Sequence, residues 1–320
     1  MTSLTNRMRP LPLVLTIFCL SRLAAAATVW IDTDVSIGSP IREVDDAYAL
    51  VLAFHSPEIR IAGLSTTYGN APLGHTTRAA QELVRRFGEP AGLSVADIYP
   101  GARSPADPGR RSEASEALAR VLEKRKITYI ALGPLTNLAV FLRLHPELAR
   151  RIERVIFVGG QMPGTTLTFG PKRSFRIHDA NVFKDPAAAA AVLRSTLPLT
   201  LVPIATSSDF LVNAVDLRKL ERSGGAANYL SRKSRIWLWF WTNFAKTKGG
   251  PIFDAVAIVP ATKPELLSIE KRSAKMDETG NLLVMPRLTK GSRPVRFCTS
   301  FAPETKSFVI ERLVTRQSRE

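Results

Sequence analysis

The chain is poor in the side chains that form disulfide bonds or bind zinc. It has 2 cysteines and 4 histidines among 320 residues. Cys19 lies in an N-terminal apolar stretch, so Cys298 is the one cysteine of the remaining chain, and that part can form no internal disulfide. No group of histidines and cysteines has the spacing of a zinc site. A disulfide-stapled scaffold and a zinc enzyme are therefore both disfavoured.

Acidic residues are also in deficit. There are 28 Asp and Glu residues against 44 Lys and Arg residues, which gives a formal net charge of +16. The basic residues are scattered rather than interleaved with aromatic side chains, and no nucleic-acid-binding module is recognisable. We interpret the excess as an arginine-rich solvated surface and expect no nucleic-acid partner, with basic pairs at Arg85-Arg86, Arg110-Arg111 and Arg150-Arg151.

The one long apolar run stands at the N-terminus. Residues 11–20 (LPLVLTIFCL) follow Arg7 and Arg9, and Ala24-Ala25-Ala26 offers a small-residue cleavage site. The run is too short for a spanning helix, which needs ~20 apolar residues. We therefore predict a signal peptide over residues 1–26, export to the periplasm or the medium, and no stable membrane anchor.

The rest of the chain has the pattern of a single α/β domain. Short apolar runs alternate with longer segments of helical period, which is typical of βαβ units and a parallel sheet. No linker divides residues 27–320, so we predict one domain with an open, mostly parallel sheet flanked by helices. We expect strands at residues 28–33, 59–67, 127–132, 155–158, 198–203, 268–275, 282–286 and 295–299. We expect helices at residues 44–55, 76–87, 138–144, 187–193, 226–246 and 304–315.

Aspartates gather where the first strand ends. Asp32 and Asp34 follow that strand, and Asp45-Asp46 begin the next helix. The carboxyl ends of strands in open α/β sheets are where ligands bind. Carboxylates that converge there repel one another unless a cation neutralises them, and Ca²⁺ tolerates irregular oxygen cages better than Mg²⁺. For Asp45-Asp46 a second interpretation is open, because acidic residues also cap helix N-termini.

Six segments in order resemble one known family. They are DTD at residues 32–34 with DDAYAL at 45–50, STTYGN at 65–70, GPLTNLA at 133–139, VGG at 158–160, DANVFKDPAAA at 179–189 and FDAVA at 253–257. Each is a weak signal alone, but their order resembles that of the inosine–uridine-preferring nucleoside hydrolases. The resemblance implies a Rossmann-like nucleoside hydrolase fold and cleavage of a nucleoside by water into ribose and base.

The resemblance also implies a role for each matching residue. Asp34, Asp46 and Asp254, with the backbone carbonyl of Leu132, would bind Ca²⁺. Asp34 would also act as the general base on the attacking water.

Further roles concern the substrate, a nucleoside or another N-riboside. Asp45 and Asn70 would hold the ribose hydroxyls, and Asp179 and Asn181 would face the 5′ side of the sugar. Asp32 would support the site from behind, and the assembly would be a homo-oligomer.

The chain departs from the family pattern at three places. Phe253 stands where the family commonly has a histidine that assists the leaving base. His178 is a candidate substitute, and Trp241 is a candidate for stacking on the base. Ten residues, 35–44, separate the first aspartates from Asp45, and this spacer predicts either a lid or a displaced aspartate pair. Arg173 falls where the family often has an asparagine.

Two other functions fit parts of the sequence. The D-x-D at residues 32–34 resembles that of haloacid-dehalogenase-type phosphatases, but that interpretation leaves Asn70 and Asp254 without a role. A degenerate family member that binds Ca²⁺ and ribosides with little turnover is the second alternative, and Phe253 motivates it.

Overall fold

The computed structural model describes residues 26–38, 42–105, 110–165, 167–171 and 175–315. The predicted signal peptide lies outside these residues except for Ala26, and so does Arg173. Part of the predicted spacer, residues 39–41, lies outside them as well.

Strands of the described residues alternate with helices along most of the chain. The strands are β1 Ala27–Thr33, β2 Ile59–Thr66, β3 Ile98–Pro100, β4 Ile127–Ala131, β5 Ile152–Val158, β6 Leu167–Phe169, β7 Phe175–Ile177, β8 Leu199–Val202, β9 Leu211–Val212, β10 Gly250–Pro251, β11 Leu267–Met276, β12 Leu282–Met285 and β13 Arg293–Phe301.

The helices flank the sheet or connect its strands. The α-helices are α1 Asp45–Phe54, α2 Leu73–Phe87, α3 Glu113–Lys124, α4 Thr136–Leu144, α5 Ala180–Lys184, α6 Pro186–Arg194, α7 Ile204–Ser207, α8 Ala214–Ser223, α9 Gly225–Lys233, α10 Arg235–Trp239, α11 Phe253–Thr262 and α12 Glu304–Val314. A π-helical turn, Phe240–Phe244, follows α10 directly.

Nine strands form one sheet in the order β12-β11-β13-β8-β5-β4-β1-β2-β3. The pairs from β3 to β13 are parallel, and β11 pairs antiparallel with both β13 and β12. The prediction of a single α/β domain with an open, mostly parallel sheet is confirmed. Strand order reverses between β1 and β4, and such a switch point leaves a crevice at the carboxyl ends of the strands.

Alternating side chains place a core on each face of the sheet. In β1, Val29 and Ile31 pack in the core that includes α1, α2, α9 and α11. Trp30 points to the opposite core, with α3, α4 and α6. This period of two is what a strand buried on both faces produces.

One predicted helix was wrong. Instead of one helix over residues 226–246, the chain forms α9, α10 and the π-turn, with Ser234 between the first two. Ser234 is buried and turns its hydroxyl onto the Leu230 carbonyl oxygen, while the Tyr48 hydroxyl lies 3.0 Å away. Trp237 and Trp241, four residues apart on one helical face, are buried, and Trp239 is exposed.

Within the described residues, no helix combines the length and the hydrophobicity that a bilayer-spanning segment needs.

Candidate active site

Three loops bring residues of the site to the crevice between β1 and β4. Asp34 follows β1, Asn70 follows β2, and Leu132 follows β4, so parallel strands deliver all three to one edge of the sheet. Asp45 and Asp46 occupy the first turn of α1, where the helix dipole favours negative charge. Asp254 occupies the first turn of α11, which packs on α1.

Three carboxylates converge within reach of a single ion. One oxygen each from Asp45, Asp46 and Asp254 lie within 4.8 Å of one another, and all three residues are buried. Oδ1 of Asp45 and Oδ1 of Asp34 are buried without a hydrogen-bond partner among the described residues. Oxygen-only, acidic ligand sets of this kind suit a hard cation, and an ion would satisfy these atoms.

Asn70 links Asp34 to Asp46. Its backbone N–H donates to Asp34 Oδ2 at 2.6 Å, and its Nδ2 donates to Asp46 Oδ2 at 3.1 Å. Thr33 donates its hydroxyl hydrogen to Asp46 Oδ1. The ten-residue spacer therefore does not carry the aspartate pair away from Asp34.

Asp32 lies behind the cluster and is held by two polar side chains. Its Oδ1 accepts hydrogen bonds from Ser65 Oγ at 2.6 Å and from Asn137 Nδ2 at 2.8 Å. Asn137 comes from the GPLTN turn, and its Oδ1 accepts from the Ala102 backbone N–H. This supports the predicted supporting role of Asp32 and gives Asn137 a structural reason to be an asparagine.

Burial and repulsion raise the proton affinity of the cluster. Burial, with the charge of Asp34 added, raises the pKa of Asp46 to about 7. Burial and the charges of the neighbouring acids raise the pKa values of Asp45 and Asp254 well above the usual range. Each raised pKa means that the ionised carboxylate is destabilised in this cluster, and a bound cation would offset that destabilisation.

A largely apolar cavity opens above the carboxylates. Its volume is about 430 Å³, enough for a small ligand. Aromatic side chains form much of its wall, while Asp45, Asn70 and Asp254 contribute polar groups. The residues that complete the wall are Glu43, Leu132, Val158, Phe175, Ile177, His178, Ala180, Asn181, Phe183, Lys184, Ile204, Phe240, Trp241 and Phe253.

Comparisons with known proteins agree with this site. The family model of "Inosine-uridine preferring nucleoside hydrolase" matches residues 29–306. The chain belongs to this family. It is therefore an N-glycosyl hydrolase that cleaves ribonucleosides.

Individual relatives support the same assignment. Uridine nucleosidase 1 of Arabidopsis thaliana is 26% identical over 275 residues, 78% of each chain. The pyrimidine-specific ribonucleoside hydrolase RihA of Citrobacter koseri is 27% identical over 264 residues, which are 74% of this chain and 81% of that one. The plant nucleoside hydrolase PpNRh1 shares the fold, with a TM-score of 0.76 and 23% identity over 91% of this chain and 99% of its own.

Most residues that the family resemblance singled out lie at the cavity or beside it. Asp45, Asn70, Leu132, Asn181 and Asp254 all line it. Asn181 donates its Nδ2 hydrogens to the carbonyl oxygens of Leu132 and Val158, at 2.7 and 3.0 Å. It thereby orients the carbonyl that was predicted to face the metal.

Asp179 lies differently from its predicted role. Its carboxylate accepts from the backbone N–H of Gly160 at 2.6 Å and caps α5 by accepting from Val182 N–H. It is not among the described residues that line the cavity. Burial raises the pKa of Asp179 to about 6 although the N–H groups of Gly160 and Val182 oppose this shift. Direct contact of Asp179 with a sugar stays a prediction.

The two candidates for assisting the leaving base both line the cavity. The His178 ring stacks on Phe183 with centroids 5.3 Å apart, and both side chains are exposed at the mouth. Trp241 is buried, and the edges of Phe169 and Phe175 pack against it. The hairpin β6–β7, in a region where no strand was predicted, contributes Phe175 to the cavity wall.

Two site residues were missed from the sequence. Lys184 Nζ lies 3.2 Å from Asp34 Oδ2, and Glu43 accepts a hydrogen bond from Trp237 Nε1 at 2.8 Å. Burial raises the pKa of Glu43 to about 6, and the hydrogen bond from Trp237 limits the rise. The one signal for Lys184 was its place inside the matched DANVFKDP segment, next to Asp185, and no local pattern marked Glu43.

Proposed function

We propose that this family member hydrolyses ribonucleosides with the help of Ca²⁺, with Asp34 as the general base. The observation that carries the proposal is the convergence of Asp45, Asp46 and Asp254 oxygens within 4.8 Å of one another, with Asp45 and Asp254 in the cavity wall. Asn70 links Asp34 to this group. Uridine is the first substrate to test, because two relatives are named as a uridine nucleosidase and a pyrimidine-specific hydrolase.

Asp34 and its neighbours form the protein's part of the metal site. Asp34, Asp46, Asp254 and the Leu132 carbonyl would hold Ca²⁺, with Asp45 beside them. Bound Ca²⁺ would supply Lewis-acid polarisation and orient the ribose diol and the attacking water. The buried oxygens of Asp34 and Asp45 that lack partners are the atoms that such an ion would satisfy.

The protein assists both the attack of water and the loss of the base. Asp34 takes a proton from the water as its oxygen attacks the anomeric carbon, while Asp45 and Asn70 hold the ribose hydroxyls. Positive charge grows on the sugar ring as the bond to the base breaks. Buried carboxylates fixed beside that ring stabilise this charge without reorganising, which is the most effective kind of electrostatic catalysis.

The leaving base would enter the aromatic part of the cavity. Since Phe253 cannot donate a proton, His178 or stacking on Trp241 would assist departure. His178→Ala should slow the release of poorly leaving bases more than that of activated aryl groups. Equal slowing of both would count against an acid role for His178.

The experiment that tests the proposal measures reducing-sugar release from uridine, cytidine and inosine, with and without a calcium chelator. Asp34→Asn should lower kcat by roughly 10²–10⁴-fold, because a positioned base contributes about that much. Asp209→Asn, which changes an exposed acid, is the matched control and should leave the rate unchanged. Full activity of Asp34→Asn, or full activity of the chelated wild-type protein, would contradict the proposal.

Export and self-association also remain proposals. The N-terminal pattern supports export. Exposed apolar side chains around α10 support a homo-oligomer, since Ile236, Trp239 and Phe244 are 56%, 60% and 65% exposed. Cell fractionation and light scattering test the two, and a cytoplasmic or a monomeric protein would refute the respective proposal.

A further inference from the structure

Lys184 places a positive charge against the carboxylate cluster. Its Nζ donates to Asp34 Oδ2 at 3.2 Å and to Asn70 Oδ1 at 3.0 Å. The Lys184 side chain is 21% exposed and that of Asp34 is 1% exposed. This ion pair is therefore screened by water much less than one at the surface.

The backbone around Lys184 is firmly held. Lys184 is the last residue of α5, and its carbonyl oxygen accepts from the Tyr68 hydroxyl at 3.2 Å. The next residue, Asp185, caps α6 through Ala188 N–H and accepts from Thr136 Oγ1 at 2.6 Å. The stem of the lysine therefore starts from a fixed point beside the cavity.

Lys184 contributes a positive charge to the cavity wall. Among the described residues that line the cavity, Lys184 is the only lysine or arginine, and it pairs with Asp34. Arg42, which is not a lining residue, donates to the carbonyl oxygen of Asn70. The charge of Lys184 lowers the pKa values of Glu43 and Asp46 against the effect of burial. Lys184 thus partly neutralises the carboxylates, as a bound cation would.

We propose that Lys184 is a built-in counter-ion of the carboxylate cluster and sets the affinity of the site for Ca²⁺. The inference rests on the proposed Ca²⁺ site. The ion needs the oxygens of Asp34, so the ammonium must release Asp34 Oδ2 as Ca²⁺ binds. A lysine can do this because its flexible stem carries a compact, strongly hydrated charge. Ca²⁺ binding therefore works against both the lost ion pair and the repulsion between the two cations.

Removing this charge has opposite effects on the empty and the loaded protein. Without Ca²⁺, Lys184→Met leaves repelling carboxylates without their counter-ion, so the variant should unfold at a lower temperature than wild type. With Ca²⁺, the variant should bind the ion about tenfold or more tightly, because one competing unit charge is gone from a low-dielectric site. Its thermal stabilisation by added Ca²⁺ should accordingly exceed that of wild type.

The test is calorimetric titration of the full chain with CaCl₂ in the absence of any nucleoside, together with thermal unfolding at each Ca²⁺ concentration. Lys184→Arg keeps the charge and should keep the wild-type dissociation constant within about threefold. Lys184→Gln removes the charge but keeps a donor, so it should follow Lys184→Met and covers the case that the methionine variant does not fold. Lys219→Met removes an exposed lysine and is the control for net charge.

Two results would overturn the inference, and they are distinguishable. If wild type, Lys184→Met and Lys184→Gln bind Ca²⁺ equally, or the neutral variants bind it more weakly, then Lys184 does not compete with Ca²⁺. The proposed metal site itself is supported in that case. If none of them binds Ca²⁺ at millimolar concentrations, the proposed metal site fails as well. Tighter binding by both neutral variants, with Lys184→Arg and Lys219→Met close to wild type, supports it.

Discussion

Gly69 shows how closely a backbone can approach a side chain of the proposed active site. It lies between Tyr68 and Asn70, after β2, and a Cβ built on it would lie 1.8 Å from Asp34 Oδ2. No rotamer adjustment of a flexible tip could relieve this overlap, since Asp34 is buried and its Oδ2 is held by Asn70 N–H and Lys184. The missing side chain at position 69 is therefore part of the geometry that positions Asp34.

At this scale we predict that Gly69→Ala lowers kcat/KM by about 10²-fold, because a displacement of roughly 1 Å in a reacting group has that effect. Reducing-sugar kinetics with uridine measure the loss, and circular dichroism checks that the fold persists. Gly74→Ala is the matched control, because its Cβ meets only Arg78 Nη1, at an ordinary 3.6 Å. Unchanged kcat/KM in Gly69→Ala would show that Asp34 tolerates displacement.

At the scale of elements, one hydrogen bond ties the segment before α1 to α10. Glu43 Oε2 accepts from Trp237 Nε1 at 2.8 Å, and Trp237 also fills space against Gly250. The bond holds the end of the spacer next to the cavity, where Glu43 is part of the wall. The π-turn that follows α10 carries Trp241 and Phe240 into the same wall, in line with the frequent use of π-turns at functional sites.

The raised pKa of Glu43 predicts a pH-dependent stability in the metal-free protein. Folding moves this pKa from 4.5 to about 6, so between these values the unfolded chain releases its proton first. The folded state therefore loses stability as pH rises through that window, and nothing is lost below pH 4. Glu43→Gln should accordingly be more stable than wild type by ~1–2 kcal/mol at pH 7.5 and equal to it at pH 4.

Urea unfolding in chelator at several pH values measures this difference. Glu123→Gln, which changes an exposed glutamate of α3, should show no comparable pH-dependent gain. A constant difference between Glu43→Gln and wild type at all pH values would be incompatible with the raised pKa.

At the scale of the whole molecule, a bidentate ion pair joins the last helix to the first βα unit. Arg312 of α12 donates to both carboxylate oxygens of Glu58, at 2.9 and 2.7 Å, and to the His55 carbonyl oxygen at 3.1 Å. The Arg312 carbonyl oxygen and His55 Nδ1 are 3.0 Å apart. This cluster connects residues that are 254 positions apart and fixes α12 beside the start of β2.

We predict that Arg312→Ala lowers the free energy of unfolding by ~1–2 kcal/mol, since it leaves a partly buried carboxylate and a backbone carbonyl without donors. Arg312→Lys should recover only part of this loss, because an ammonium cannot make the paired contact. Arg235→Ala breaks an exposed pair with Glu221 and should cost well under ~1 kcal/mol. Equal losses at positions 312 and 235 would refute the special role of the Glu58 contact.

The sequence by itself determined most strands of the sheet and the aspartates near its first strand. The hydrophobic runs at β1, β2, β4 and β5 are local patterns, and they predict strands without knowledge of the packing around them. The rule that ligands bind at the carboxyl ends of the strands then pointed to Asp34, whereas Asn70 and Asp254 were added by the family resemblance. The spacing of Trp237 and Trp241 likewise places both rings on one face of a helix, because a helix repeats every 3.6 residues.

Only the tertiary structure decided the contacts between distant segments. Lys184 and Asp34 are 150 residues apart, and Glu43 and Trp237 are 194 residues apart, so no periodicity connects them. Ser234, between α9 and α10, lies within hydrogen-bond distance of Tyr48, and Asp179 accepts from Gly160 and caps its own helix rather than lining the cavity. Such partners depend on how whole elements pack against one another. A short segment of sequence does not determine that packing.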